Sequence, residues 1–422
     1  MPTDVAHTLP LDDTLTPVAE DELARVVREC ARDRRAVYPL GGQTSLDVGL
    51  PARRRGLGLS LAGMNNIVDY PARDMTITVE AGLRVADLAD KLAAENQWLP
   101  IDIPEASQAT IGGAIASNAS GPRRYAHGTI RDYVIGIRAV DGRGTAFQAG
   151  GRVVKNVAGY DFCKLLCGSF GTLAVITQVT LKIKPRPPAS AWAWCELPSL
   201  EAADKLLATL TTSATTPTAI ELLTGPPPDE EGPLASVAPA RLLIGYEGTA
   251  AEVAWQLEQI QMAGRAEGVN YQSTGETATV QRVWSRLTEF SVPDAEGVAQ
   301  TSALAIIKAS VLSSMITNLI RSIQELAPTA AILAHAGSGI VTVRLSETPL
   351  GGLAAAIVRH WQPAARAARG NLVLLAARDT GELTRQVVWG MPQDDARLQL
   401  AVKQQFDPHG ILNPGRFVYG SA

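Results

Sequence analysis

Tyr38-Pro39-Leu40-Gly41-Gly42-Gln43-Thr44-Ser45-Leu46 is the stretch whose reading decides the fold. The apolar run Ala36–Leu40 predicts a strand, so two adjacent glycines fall in the loop that leaves it. Glycine lacks the Cβ that would hold a charged ligand away from the backbone. Successive N–H groups in such a loop can form a concave anion site, and Thr44 and Ser45 add hydroxyl donors. A plain strand-to-strand turn uses the same residues, so this loop alone leaves both readings open.

At 422 residues the chain is long enough for two or three domains, each with its own core. A composition of 46% hydrophobic and 19% charged residues is that of a soluble globular protein. The formal net charge of -4 gives no basis for a nucleic-acid partner. The basic runs Arg32-Asp33-Arg34-Arg35 and Arg53-Arg54-Arg55 read as solvated faces. No run of about 18 apolar residues is available to span a membrane. Asp4, Asp12 and Asp13 do not fit the basic-then-apolar order of a secretion signal. The four cysteines, Cys30, Cys163, Cys167 and Cys195, are too scattered for a disulfide framework. Cys163 and Cys167, four apart on a predicted helix, read as small apolar core residues. The expected setting is cytoplasmic.

Leu23, Val26, Val27 and Cys30 recur at helical spacing and predict an amphipathic helix over 20–31. Further strands are predicted around Leu57–Leu61 and Met75–Glu80, then a helix carrying Val85, Leu88, Ala89 and Leu92 on one face. In Thr110-Ile111-Gly112-Gly113-Ala114-Ile115-Ala116-Ser117-Asn118, Thr110 can cap a helix whose first turn holds two glycines. Glycine costs about 1 kcal/mol relative to alanine inside a helix. The pair therefore points to something large packed on that turn, with close helix–sheet packing the equal alternative. Asp141-Gly142-Arg143-Gly144 joins a predicted hairpin, and a long alternating strand from Leu173 to Ile183 ends at the boundary Pro185-Arg186-Pro187-Pro188.

Beyond that boundary the order β-α-β-β-α-β occurs twice. The first copy has strands near 191–196, 219–223, 241–246 and 269–272, with helices near 199–210 and 250–267. The second has strands at 303–310, 330–335, 340–345 and 371–376, with helices at 312–326 and 348–368. This is the ferredoxin-like order, and two copies can share one antiparallel sheet. Ile411, Leu412 and Phe417 in the Pro- and Gly-rich tail predict that the C-terminus docks on something.

Together these pieces resemble the flavin-binding family that includes vanillyl-alcohol oxidase and the bacterial D-2-hydroxy-acid dehydrogenases. The resemblance rests on four stretches in order: Pro39–Leu46, Pro104–Gly121, Gly171-Thr172-Leu173-Ala174-Val175-Ile176-Thr177, and Phe406-Asp407-Pro408-His409-Gly410-Ile411-Leu412-Asn413-Pro414-Gly415. Lys155-Asn156-Val157-Ala158-Gly159-Tyr160-Asp161 and the short second domain look most like the FAD-binding E subunits of bacterial glycolate oxidases. The resemblance implies an α+β protein. A PCMH-type FAD-binding domain of two subdomains would span 1–187. A duplicated ferredoxin-like cap would span 188–392, and a segment 393–422 would return to the FAD domain.

It also implies roles for residues. Pro39, Leu40, Gly41, Gly42, Gln43, Thr44 and Ser45 would wrap the FAD pyrophosphate through backbone N–H groups. Thr110, Gly113, Ser117 and Asn118 would lie against the flavin and ribityl chain, with Pro104, Gly112 and Gly121 of the same stretch also binding cofactor. Val175 and Ile176, beside Gly171, would hold the adenine end. Asn413 and Arg416 would come closest to the flavin ring from the tail. Some relatives attach flavin through a His in the first loop; that loop here offers Gln43 and no His or Cys, so non-covalent FAD is expected. His127 reads as a loop residue.

The catalytic D-2-hydroxy-acid dehydrogenases carry His-x-Gly-Asp-Gly-Asn-x-His and a later Glu-His-Gly, a set that binds a divalent metal and supplies a base. Such chemistry needs several converging N and O ligands. This chain has Ala334-His335-Ala336-Gly337-Ser338-Gly339-Ile340-Val341-Thr342, with Ser338, Ile340 and Thr342 replacing Asp, Asn and the second His. Ala376-Ala377-Arg378-Asp379 holds no His. No metal site is expected, no catalytic residue is assigned, and His335 reads as a remnant with a structural hydrogen bond. The expected role is then the FAD-binding subunit of a multi-subunit glycolate (D-2-hydroxy acid) oxidase or dehydrogenase. Its partners would be a paralogous FAD- and metal-containing catalytic subunit and an iron–sulfur subunit that carries electrons towards quinone. Association with the inner face of the cytoplasmic membrane would be peripheral and through those partners. Two alternatives stand beside it: a self-contained FAD enzyme gripping a carboxylate with Arg378, Tyr160 or Lys155, and a non-catalytic assembly subunit with structural FAD.

Overall fold

The computed structural model describes residues 9–52, 54–151, 160–236, 238–293, 303–378, 383–392 and 394–419. The described residues form two compact units, one from within Met1–Ser120, Thr129–Arg186 and Met391–Ala422, the other from within Gly121–Gly128 and Pro187–Gly390. Residues 121–128 group with the second unit although they interrupt the sequence of the first. Both units mix helices and sheets.

The first unit opens with β1 (Leu11–Leu15), α1 (Glu20–Arg32), β2 (Ala36–Leu40) and β3 (Gly56–Ser60). The three strands pair in parallel in the order β1-β3-β2. Leu23, Val26, Val27 and Cys30 of α1 are buried in one cluster with Val37, Leu57 and Leu59, as a helical apolar stripe over a sheet requires. Next come β4 (Ile67–Asp69), β5 (Thr76–Glu80), α2 (Val85–Ala93), β6 (Gln97–Trp98) and α3 (Ile111–Ser117). After α4 (Arg124–His127), which belongs to the second unit, follow β7 (Val134–Asp141), β8 (Ala146–Gly150), α5 (Phe162–Leu166), β9 (Ala174–Lys182) and β10 (Lys184–Pro185). An antiparallel sheet takes the order β4-β5-β9-β7-β8. Glu20 ties α1 to this sheet, accepting from Arg138 Nη2 at 2.5 Å and Thr177 Oγ1 at 2.5 Å.

The second unit is a single eight-stranded sheet. Its first half runs β11 (Ala189–Leu197), α6 (Leu200–Thr211), β12 (Ala219–Thr224), β13 (Ala240–Gly248), α7 (Ala250–Ala266) and β14 (Gln272–Thr274). After α8 (Thr277–Glu289) the second half repeats it with β15 (Ala305–Ser310), α9 (Ile316–Leu326), β16 (Ala331–His335), β17 (Ile340–Leu345), α10 (Leu353–Ala356), α11 (Gln362–Ala367) and β18 (Asn371–Ala377). The order β14-β11-β13-β12-β16-β17-β15-β18 is two ferredoxin-like sheets joined through their second strands, where Glu221 pairs with His335.

Two elements depart from the sequence expectation. The strand expected at 269–272 begins only at Gln272, because Gly268 turns left-handed (φ 73°) and the Val269 N–H bonds back to Gly264 O, a helix-ending motif. The helix expected at 348–368 starts late, after Gly351 and Gly352 at φ 81° and 94°. It widens to a π turn at Ile357–Trp361 just before Pro363, which has no N–H to give the ladder.

The tail returns to the first unit. After α12 (Arg385–Trp389) in the second unit, α13 (Ala396–Phe406) leads to a parallel bridge between Leu412 and Val37 of β2. Val37 N–H donates to Ile411 O and Asn413 N–H to Val37 O, both at 2.8 Å. Among the described residues, no helix is long and apolar enough to cross a membrane.

Burial raises the Glu20 pKa, but its hydrogen bonds from Arg138 and Thr177 outweigh that and hold it below its usual 4.5. A carboxylate depressed in the folded state stabilises above its unfolded pKa and loses that contribution as pH falls through the folded one. Glu20→Ala should therefore cost about 1.5–3 kcal/mol near neutral pH. In urea denaturation, the gap between variant and wild type should close in acid below the usual carboxylate range.

Candidate cofactor-binding site

A cleft of about 800 Å³, counting the space it shares with open solvent, lies within the first unit. Its walls are the loop 39–46 leaving β2, the first turns of α3, the turn Phe170-Gly171 with the start of β9, and Asn413 from the tail. Four segments far apart in sequence thus meet around one space. Pro39, Leu40, Gly41, Gly42, Gln43, Thr44, Ser45, Thr110, Gly112, Gly113, Ser117, Gly171, Val175, Ile176 and Asn413 all line it. Pro104, Asn118, Gly121 and Arg416 do not, and Gly121 sits in the second unit.

The glycines divide their work differently from the simplest reading of the sequence. A Cβ on Gly42 would meet Gln108 O at 2.0 Å, and one on Gly41 would meet Thr110 Oγ1 at 2.3 Å. These two glycines let the loop pack on residues 108–110, so their missing side chains make room for protein. The left-handed residue of the loop is Gln43, at φ 61°. On α3, a Cβ at Gly112 would come within 2.7 Å of the Ala81 Cβ, whereas one at Gly113 would meet only Thr110 Oγ1, at 3.2 Å. Close packing thus accounts for Gly112, while Gly113 leaves the cleft wall bare.

The loop lines this cleft, and its backbone donors are unused by protein. Among the described residues, none of the backbone N–H groups from Gly41 to Ser45 has a protein acceptor. These residues are exposed or half-buried, so water can serve their N–H groups, and a run of such donors is also a ready anion site. The α3 end is fixed by Thr110, whose Oγ1 accepts from Gly113 N at 3.3 Å. Gly168 and Phe170 N–H groups donate to Ile115 O and Ala116 O. Asn118 caps α3 in the left-handed region, and its buried Oδ1 finds no partner among the described residues. Phe170 and Gly171 are left-handed in succession, at φ 51° and 65°, and Asn413 Nδ2 donates to Phe170 O at 2.6 Å. Arg416 is buried beside this wall, donating to Val48 O, with Nη2 lacking an acceptor among the described residues. Burial lowers its pKa, countered in part by Asp47.

A family model described as "FAD binding domain" matches residues 13–150, and one described as "FAD linked oxidases, C-terminal domain" matches residues 186–372 and 391–417, more than half of the chain. The chain belongs to the FAD-linked oxidase family. It is an FAD-dependent oxidoreductase, and the unpaired amides with the bare Gly113 wall fit that cofactor. Glycolate oxidase subunit GlcD of Bacillus subtilis is 27% identical over 96% of this chain and 88% of its own length. A D-lactate dehydrogenase of Archaeoglobus fulgidus is 26% identical over 95% and 90%. Glycolate oxidase subunit GlcE of Escherichia coli is 35% identical, over 40% of this chain and 48% of its own. A solved structure of alkyldihydroxyacetonephosphate synthase has a TM-score of 0.66 at 15% identity, covering 95% of this chain and 76% of that one, so the fold is shared.

In the second unit, His335 is buried with Nδ1 2.6 Å from Oε2 of the fully buried Glu221. Thr342, in the place of a second His, pairs with Leu333 and Lys308 across the sheet. Among the described residues, no group of three or more His, Cys, Asp or Glu side chains could hold a metal ion. Lys155 lies outside the described residues; Tyr160 is 88% exposed and Arg378 is exposed, so neither has the shelter of a substrate clamp. The cation that sequence reasoning missed is Lys308, pushed down to about 8 by burial with the Arg124 charge adding to it. A lysine inside a predicted apolar strand was the available signal.

Gly112→Ala and Gly113→Ala separate packing from ligand. The first should cost about 1–3 kcal/mol in urea unfolding, as overpacking does. The second should leave the midpoint intact and weaken FAD about tenfold in a fluorescence titration, about 1.4 kcal/mol.

Proposed function

We propose that this chain is the FAD-binding subunit of a multi-subunit 2-hydroxy-acid (glycolate) dehydrogenase. The observation that carries the reading is a contrast within one chain. The cleft of the first unit keeps its row of unpaired amides, while the second unit keeps one histidine of the metal-binding set and ties it to Glu221. Relatives named as glycolate oxidase subunits, GlcD and GlcE, support the complex. In this reading the amides of Gly41–Ser45 take the pyrophosphate, Ser117 and Gly113 border the ribityl chain and flavin, and Val175 and Ile176 contact the adenine end. Bound there, FAD supplies two-electron chemistry that also connects to one-electron carriers. A paralogous subunit with the full metal set oxidises the hydroxy acid, and an iron–sulfur subunit carries electrons towards quinone at the inner face of the cytoplasmic membrane.

A second reading makes the chain oxidise a small hydroxy acid by itself. It is favoured by Lys308, whose ammonium has no hydrogen bond or ion pair among the described residues. The strand register sets Lys308, Thr342 and, through Ile340, His335 and Glu221 on one face of the sheet.

Acid precipitation of the purified yellow protein should release the colour, since no covalent link is expected; colour retained in the pellet would contradict that. With glycolate and an artificial acceptor, the chain alone should show no turnover, and activity should appear on mixing with the partner subunits. Turnover by the chain alone would establish the second reading.

A further inference from the structure

Behind the cleft wall, and not lining it, lies a buried ion pair. Lys403 Nζ is 2.5 Å from Asp407 Oδ2, 2.6 Å from Thr172 O and 3.3 Å from Leu412 O. The Asp407 side chain is fully buried and that of Lys403 is 15% exposed. Asp407 also accepts from the Ile411 N–H at 3.0 Å and the Leu412 N–H at 2.8 Å. Burial lowers the Lys403 pKa, with Asp407 opposing.

Two of these partners, Thr172 and Leu412, adjoin segments that line the cleft. Thr172 follows Gly171 on the turn that enters β9. Leu412 bridges to Val37, on the strand that feeds the Gly41 loop. The next residue, Asn413, lines the cleft and grips Phe170 O. Gly142 completes the seat: its N–H donates to Phe406 O, and a Cβ there would meet Asp407 Oδ1 at 2.6 Å. A buried pair rarely adds stability over apolar residues of similar volume, but charged hydrogen bonds are short and directional. The pair therefore fixes spacing more than it adds cohesion.

We propose that Lys403 and Asp407 are positioning residues for the cofactor cleft: their ion pair sets the spacing between the Gly171 turn, Asn413 and the strand leading to the Gly41 loop, so that FAD affinity depends on two side chains outside the cleft. This rests on the reading that the cleft takes FAD.

The test is the double variant Lys403→Met/Asp407→Asn, which removes both charges and keeps one side-chain oxygen as acceptor for one of the two amides of Ile411 and Leu412, with Lys403→Arg as the conservative companion. Urea unfolding, FAD titration by flavin fluorescence, and amide hydrogen exchange at Ile411–Asn413 are measured on the full chain. The double variant should unfold near the wild-type midpoint yet bind FAD about tenfold more weakly. FAD should protect the Ile411–Asn413 amides in wild type and not in the double variant, and Lys403→Arg should recover part of the affinity. A double variant with wild-type affinity and protection overturns the role of the pair alone. Loss of midpoint and affinity together, with Lys403→Arg no better, assigns the pair to stability and also overturns it. A wild-type chain that takes up no FAD overturns the reading of the cleft itself.

Discussion

A backbone N–H with no protein acceptor is left to water or to a ligand. Between Gly41 and Ser45 this holds for five residues in succession. The surroundings hold this loop in shape. Gly41 and Gly42 are pressed against residues 108–110, and Gln43 turns left-handed. An anionic ligand then meets donors already in place and pays little ordering entropy on binding. In the proposed reading the pyrophosphate of FAD supplies the acceptors for these amides.

The remaining walls follow from how the chain closes on itself. Residue 37 and residue 412 are neighbours in space, and Asn413 reaches back to Phe170. The cleft is thus completed by one of the last segments of the chain. In the second unit the physics points the other way. Glu221 is fully buried, and an imidazole 2.6 Å away offers it a partner. A histidine occupied in satisfying a buried carboxylate has one ring nitrogen committed, and Ser338, Ile340 and Thr342 bring no carboxylate or imidazole to join it.

Much of this was legible in the residues. Helical spacing in Leu23–Cys30, alternation in 173–183 and the twice-repeated strand and helix order led to the right elements, since each is a periodic pattern facing a core. The glycine loop and the Thr110 cap pointed to residues that the fold brings to one cleft. What stayed hidden depends on tertiary contact. Gly41 and Gly42 are there for residues 108–110, which no local pattern foretells. The grouping of 121–128 with the second unit rests on Arg123, bidentate to Glu247 and stacked 3.7 Å from the Trp284 ring, with these partners more than a hundred residues away. Pro363 inside a helical pattern was visible, but whether it breaks or widens a helix is decided by packing. Nothing local to Lys403 on α13 foretells the tail contacts that bury it.

The most direct measurement of the central idea, that the amides of Gly41–Ser45 hold the pyrophosphate of non-covalent FAD, is phosphorus NMR of FAD titrated into the purified chain. Both phosphate resonances should move from their free positions as the flavin binds, and ADP should compete for the same site. Flavin bound with its phosphate resonances unmoved, and indifferent to ADP, would contradict the account.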